Sequence, residues 1–221
     1  MKRITKHAAL PLLLLLLLGL GGCAAEGLLS RLGFDTHNYR GEPTLAVLDE
    51  NGEEARRLAA LTRTLTVNTP NLTPFSGAKE AVEACRDAVL NRMLEESYAQ
   101  YAGNRALIER AAEAYPQMQI SVLIPAADFE AVIYATFGGS EKITNKSGAL
   151  FQYLDKIDAY TTAANPQPSE VTVTVVRLEE TERTYRLWFR NSLDGVTSPE
   201  YFALIVRRED GSLYFRELSE N

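Results

Sequence analysis

Two stretches of this 221-residue chain bring recognition-competent side chains close together. The first is Gly138-Gly139-Ser140-Glu141-Lys142-Ile143-Thr144-Asn145-Lys146-Ser147-Gly148. Its glycines tolerate a left-handed backbone, and two lysines and several hydroxyls lie between them. Successive backbone N–H groups ahead of a helix expected to start at Ser147 could hold an anion. Gly138, Gly139, Ser140, Lys142, Lys146 and Ser147 are the candidate ligand-binding residues. No Gly-Lys-Ser/Thr run closes the segment, so it does not have nucleotide-binding P-loop spacing. The plainer reading is a capped loop joining two helices. The second stretch is Arg186-Leu-Trp188-Phe-Arg190, in a run with strand composition. A period of two puts Arg186, Trp188 and Arg190 on one face and Tyr185 on the other. An arginine–aromatic surface binds carboxylates, sugars or peptides. Its plainer role is cross-strand packing, with arginine stems covering the sheet.

Other chemistries lack their residues. Beyond the leader the chain has a single histidine, His37, outside the region that reads as folded. A Ser/His/Asp or Cys/His arrangement therefore has no base within hydrogen-bond reach, and zinc has no His/Cys cluster. Cys85 sits on the apolar stripe of a long helix and reads as a small hydrophobe. Asp128 suits the first turn of a helix, where a negative charge favours the dipole. Asp155 and Asp158 flank Ile157 near the end of an amphipathic piece. Acid–base work would need two carboxylates converging with separated pKa values. No catalytic residue, metal site or cofactor is assigned.

The elements that must position these residues follow from periodicity. Thr44–Leu48 reads as a short strand, and Glu53–Leu65 as a helix through Leu58, Leu61 and Leu65. After two prolines, Ala78–Tyr101 carries Val82, Cys85, Val89 and Met93 on a wide helical stripe capped by Ser76. Asn104 caps a second helix that Pro116 stops. Ile120–Ile124 reads as a strand, and Pro125 opens a helix with Phe129, Val132, Ile133 and Phe137 inward and Gly138 as its stop. Leu150, Leu154 and Ile157 suggest one more helical piece. The remainder is β: Glu170–Leu178, Thr184–Arg190, Tyr201–Arg208 and Leu213–Leu218, the last two joined around Asp210-Gly211. Tyr201–Val206 is apolar on both alternating faces, which predicts a central strand covered on both sides. Helices first and an antiparallel sheet last give an α+β fold.

The N-terminus carries an address. Lys2, Arg3 and Lys6 precede an apolar run from Ala8 to Leu20, which ends Leu20-Gly21-Gly22-Cys23. A cationic start, a short apolar core and small residues describe a secretory signal peptide, and the run is too short to span a membrane. Leu-Gly-Gly-Cys resembles the bacterial lipobox, which implies that Cys23 is diacylated and becomes the new N-terminus. The resemblance implies an extracytoplasmic protein held at the cell membrane by a diacylglyceryl anchor, whose two chains suffice for stable retention. The leader holds three of the 23 basic residues and none of the 29 acidic ones, leaving 20 cations against 29 anions, a formal −9. That sign opposes nucleic-acid binding. With Cys23 acylated, Cys85 has no partner for an intrachain disulfide. The expected organisation is a lipoprotein signal peptide (1–22), a tether (23–43), a small N-terminal appendage (44–74) and an α+β domain (75–221).

The order helix, helix, strand, helix and then four or more antiparallel strands resembles the NTF2-like or cystatin-like class, in which a curved sheet wraps around a helix. That class includes enzymes, binders and scaffolds, so the resemblance implies a fold and no activity. Locally, Ile124-Pro-Ala-Ala-Asp-Phe129, Phe137-Gly-Gly-Ser140, Ser147-Gly-Ala-Leu-Phe-Gln-Tyr153 and Ala159-Tyr-Thr-Thr162 look like a group of lipoproteins from clostridial-type Gram-positive bacteria. That resemblance implies a lipoprotein and transfers no catalytic residue. The expected function is a non-catalytic binding or interaction module of the cell envelope, facing a cell-wall fragment, a peptide or a partner protein. The alternatives are an NTF2-like enzyme using carboxylate or tyrosine chemistry and a structural accessory subunit of a membrane complex.

Overall fold

The structure is a computed structural model and describes residues 45–139, 142–163 and 168–221. The signal peptide, Cys23, the tether and Ser140 lie outside the described residues. Within them the fold is mixed α+β, with four helices, an open antiparallel sheet of seven strands and a separate three-stranded sheet.

Strand β1 (Ala46–Leu48) leads through a turn into helix α1 (Glu53–Arg63). Strand β2 (Phe75–Ser76) runs directly into α2 (Gly77–Ala102). The side chain of Ser76 makes no cap bond; instead its N–H donates to Glu80 Oε2 at 2.8 Å. Asn104 does cap α3 (Arg105–Ala114), its Oδ1 accepting from the Leu107 N–H. Strand β3 (Ile124–Pro125) leads into α4 (Ala126–Phe137), which stops at Gly138 with φ +70°. A Cβ there would come within 2.8 Å of the Tyr214 ring, so both the conformation and the space require glycine.

The helical piece expected around Leu150, Leu154 and Ile157 is instead an antiparallel pair, β4 (Gln152–Leu154) and β5 (Ala159–Thr161). The turn between them holds Asp158 at φ +52°, a left-handed conformation a helix would not allow. Leu154 is fully buried and Leu150 is exposed, so the two never share a buried helical stripe. The pair, with β3, forms the small sheet.

The main sheet is built from β6 (Thr172–Glu180), β7 (Thr184–Leu193), β8 (Val196–Thr197), β9 (Tyr201–Arg207) and β10 (Leu213–Glu220), with β1 and β2 at its edges. Its order is β1-β6-β7-β9-β10-β2, with β8 folded back on β7. Asp210-Gly211 turns β9 into β10, Gly211 having φ +82°. A second Asp-Gly pair, Asp194-Gly195, takes positive φ at both residues and turns β7 into β8.

Among the described residues, helices cover one face of this sheet and leave the other half-buried. Tyr185, Leu187, Phe189, Tyr201, Ala203, Ile205 and Phe215 are buried in one core with Val82, Cys85 and Val89 of α2 and Phe129, Ile133 and Phe137 of α4. The alternate residues Phe202, Leu204 and Val206 are only half-buried, and Arg186 and Arg190 are exposed. Strand β9 is therefore central, as its composition predicts, but it is not covered on both sides. The helices commit their apolar stripes to the first face. Leu187→Ala should accordingly lower the unfolding free energy by about 2–5 kcal/mol, and Leu204→Ala by less than about 1 kcal/mol. Equal costs in urea melts would contradict this two-faced arrangement.

Candidate functional site

Two surfaces hold the residues singled out by the sequence. The first is a cleft of about 470 Å³ between α2, the segment 65–73 and the loop 146–150. Its outer wall is fixed to the sheet from beneath. The buried Tyr201 hydroxyl accepts from the Leu72 N–H at 2.9 Å, and the Asn191 side-chain amide donates to the Pro70 carbonyl at 3.0 Å. Hydroxyls and an amide line the cleft, from Thr66, Thr69, Asn71, Thr73 and Ser147.

The loop wall is laced to one turn of α2. Arg86, 4% exposed, donates to the carbonyls of Lys146 and Thr144 and pairs with Glu83. Lys146 reaches back to the same Glu83. Asp87 Oδ2 accepts from the backbone N–H groups of Ala149 at 2.7 Å and Leu150 at 3.1 Å. A Cβ on Gly148 would collide with the Asp87 carboxylate, so glycine permits this approach. Further along, Asn145 accepts from the Tyr160 hydroxyl at 2.9 Å and donates to Glu130 Oε1 at 2.7 Å. Ser147 Oγ accepts from the Tyr153 N–H at 3.0 Å. The segment has no regular secondary structure, yet side chains brace it along its length.

The candidate anion-binding residues are thus dispersed. Gly138 closes α4 against Tyr214, Gly139 sits against Ala78, and Lys142 is exposed. Lys146 and Ser147 alone reach the cleft, about two helical turns along α2 from Ala78. No helix starts at Ser147, and the N–H groups just beyond it already hold an anion, the carboxylate of Asp87. Arg86, Asp87 and Glu83 were not singled out by the sequence, because on a helix they read as a solvated polar face; the sign available was the Glu-x-x-Arg-Asp spacing.

The second surface is the uncovered sheet face. Arg186, Trp188 and Arg190 do share it, as alternation requires. Trp188 packs against Phe202 on β9, ring centroids 5.0 Å apart. On its other side Arg177 of β6 stacks over the indole at 4.9 Å, brought there by a bulge between Val175 and Arg177. Arg177 also pairs with Glu179, whose carboxylate lies 4.0 Å from Arg186. Arg190 pairs with Glu200 at 3.2 Å. Leu204 and Val206 extend the apolar strip, and Val47 on β1, in register with Glu179, is 70% exposed.

Elsewhere burial or a bonded partner shifts several titratable groups. Burial pushes the Cys85 thiol up to about 12, so it is no nucleophile near neutral pH. The Tyr153 hydroxyl, held by Asp158 at 2.5 Å, is also raised to about 12. Tyr160 is raised by its burial. Arg57, bonded to Glu54, lowers that carboxyl. Among the described residues no group of three or more His, Cys, Asp or Glu is placed to hold a metal ion, and no helix is long and apolar enough to cross a membrane.

Comparisons with protein families, with curated proteins and with solved structures find no match to this chain. The site must therefore be read from its own geometry.

Two outcomes test the laced loop and the inert thiol. Asp87→Ala should strip exchange protection from the Ala149 and Leu150 amides and destabilise the protein by about 1–3 kcal/mol; unchanged exchange there would break the assignment. Native Cys85 should resist alkylation at pH 8 and react once the chain is unfolded.

Proposed function

We propose that this chain is a lipid-anchored, extracytoplasmic interaction module of the bacterial cell envelope, non-catalytic, engaging a partner polypeptide through the uncovered face of its sheet. Leu20-Gly-Gly-Cys23 carries the anchoring part of this reading, through a diacylglyceryl group on Cys23. The finer fold belongs to it too: we read the helices-first, meander-last order as an NTF2-like or cystatin-like arrangement used as a scaffold. The interaction part rests on one observation. Trp188, Phe202, Leu204 and Val206 line a face that no helix covers among the described residues, with Arg177, Arg186 and Arg190 around them. Trp and Arg dominate the energetics of protein interfaces. A sugar would need the open face of the indole, and Arg177 stacks there, which favours a polypeptide. A second reading, a cell-wall fragment held in the hydroxyl-lined cleft beside Asp87, is favoured by the lining of that cleft.

Cys23→Ser should move the protein from the membrane to the soluble fraction; complete retention on membranes would overturn the lipid anchor. A photo-crosslinker at Leu204, in cells, should trap one defined protein band, and the same group at the exposed helix position Glu109 should not. Absence of a Leu204-specific product would overturn the interaction face. A saturable thermal shift with muropeptides, abolished by Asp87→Ala, would favour the cleft instead.

A further inference from the structure

The chemistry of the uncovered face also indicates what kind of polypeptide it takes; this rests on the interaction-face reading above. The charges on the face differ sharply in exposure. The side chains of Arg177, Arg186 and Arg190 are 57%, 48% and 53% exposed. Their carboxylate partners are withdrawn: Glu179 is 2% exposed, lying beneath Arg177 and near Arg186, and Glu200 is 19% exposed. A partner approaching this face therefore meets cations first, although residues 23–221 carry a formal −9. On β10, half-buried Glu217 lies in register with Leu204, and exposed Arg216 occupies the bulge before it. Among the three arginines lie the Trp188–Phe202 pair and the Leu204–Val206 strip, with exposed Val176 at the bulge.

Among the described residues each carboxylate partner engages only part of its arginine's fork of five N–H groups, which suits a second carboxylate. Glu179 accepts from Arg177 and lies 4.0 Å from Arg186, so one buried carboxylate faces two exposed cations. We infer that this face docks an acidic–apolar polypeptide segment, its carboxylates reaching Arg177, Arg186 and Arg190 and its large apolar side chains seated on Trp188, Phe202 and Leu204. Charge complementarity selects that occupant over a basic segment. An anionic lipid surface would also attract cations flanking apolar side chains, and the vesicle arm of the test separates it from a polypeptide.

The test uses the full-length mature chain carrying Cys23→Ser, so that no acyl chain drives association. Trp188 is the sole tryptophan, so its fluorescence reports this face directly. The probes are a soluble peptide repeating Glu-Leu-Asp-Phe, the same peptide with lysine for each acidic residue, and phosphatidylcholine vesicles containing phosphatidylglycerol. The expected result is a saturable Trp188 change with the acidic peptide only, weakening as salt is raised. Arg177 is left in place, because removing it would strand the Glu179 carboxylate. Arg186→Glu and Arg190→Glu should each weaken acidic-peptide binding by about tenfold or more. Thr174→Arg, which adds a cation beside Arg190 on an exposed position, should tighten it. Equal binding of the lysine peptide, a response to vesicles alone, or indifference to the arginine variants would overturn the inference. If Leu204 crosslinks a protein in cells while the acidic peptide fails to bind, the partner chemistry is wrong and the interaction face stands. If both fail, the interaction face falls as well.

Discussion

The alternation along β7 constrains everything around it. Tyr185, Leu187, Phe189 and Asn191 point to the helices and are buried, while Arg186, Trp188 and Arg190 point away. Strand β7 is hydrogen-bonded to β6 on one side and β9 on the other, so shifting it by one residue would break both ladders. It would also bring two arginines into the core, a cost of several kcal/mol for each unpaired charge. The register is thus fixed by the same pattern that fixes the two faces. Because α2 and α4 pack on the inner face, no described helix is left to cover the outer one.

The cleft obeys a different constraint, the satisfaction of backbone groups. The segment from Thr144 to Leu150 has no ladder, so apart from the Gly148 N–H, which donates to the Phe151 carbonyl, side chains supply partners to its backbone. Arg86 supplies donors to two carbonyls and Asp87 supplies an acceptor to two N–H groups, from adjacent positions on α2. Adjacent helical residues diverge by about 100°, and this lets one turn of helix grip two points of the loop. Glu83 then balances both Arg86 and Lys146. With its charges internally matched, the cleft offers hydroxyls and little net charge, which makes it poor ground for acid–base catalysis and a weaker anion trap than its glycines and lysines suggest.

Where periodicity was long, sequence and structure coincide. The stripe through Val82, Cys85, Val89 and Met93 became α2, and the Asp210-Gly211 signal became the β9–β10 hairpin. The pattern failed at Leu150, Leu154 and Ile157, where three apolar residues fit a helical spacing but a left-handed Asp158 and pairing with β5 decided for strands. Short apolar runs do not distinguish the two periods. Asp194-Gly195 is an equally good hairpin signal, but the strand that follows it, β8, is only two residues long and carries no alternation to mark it. Trp188 and its arginines were legible from alternation alone. The Arg177 stack was not, since it depends on a bulge that shifts β6 by one residue relative to β7. The loop-gripping roles of Arg86 and Asp87 were hidden for a related reason: both partners are backbone atoms some 60 residues away, and no residue pattern marks them.

The expectation that β9 is covered on both faces is the most useful of the failures. Composition predicts cover because Phe202, Leu204 and Val206 are costly to leave in water, at about 25 cal/mol for each Å² of apolar surface. Within the described residues that cover is incomplete. Arginine stems supply part of it: Arg177 lies over Trp188, and aliphatic portions of long cationic side chains shield apolar neighbours while their heads stay wet. This arrangement keeps a lone sheet face soluble without filling it. It also leaves an apolar floor ringed by exposed cations, with one counter-charge, Glu179, buried and the other, Glu200, half-buried. A face built only for solubility would gain more from exposed carboxylates, which the rest of this acidic chain has in excess. Withdrawing Glu179 beneath two arginines runs against solubility, and the binding of an acidic–apolar segment gives that burial a physical purpose.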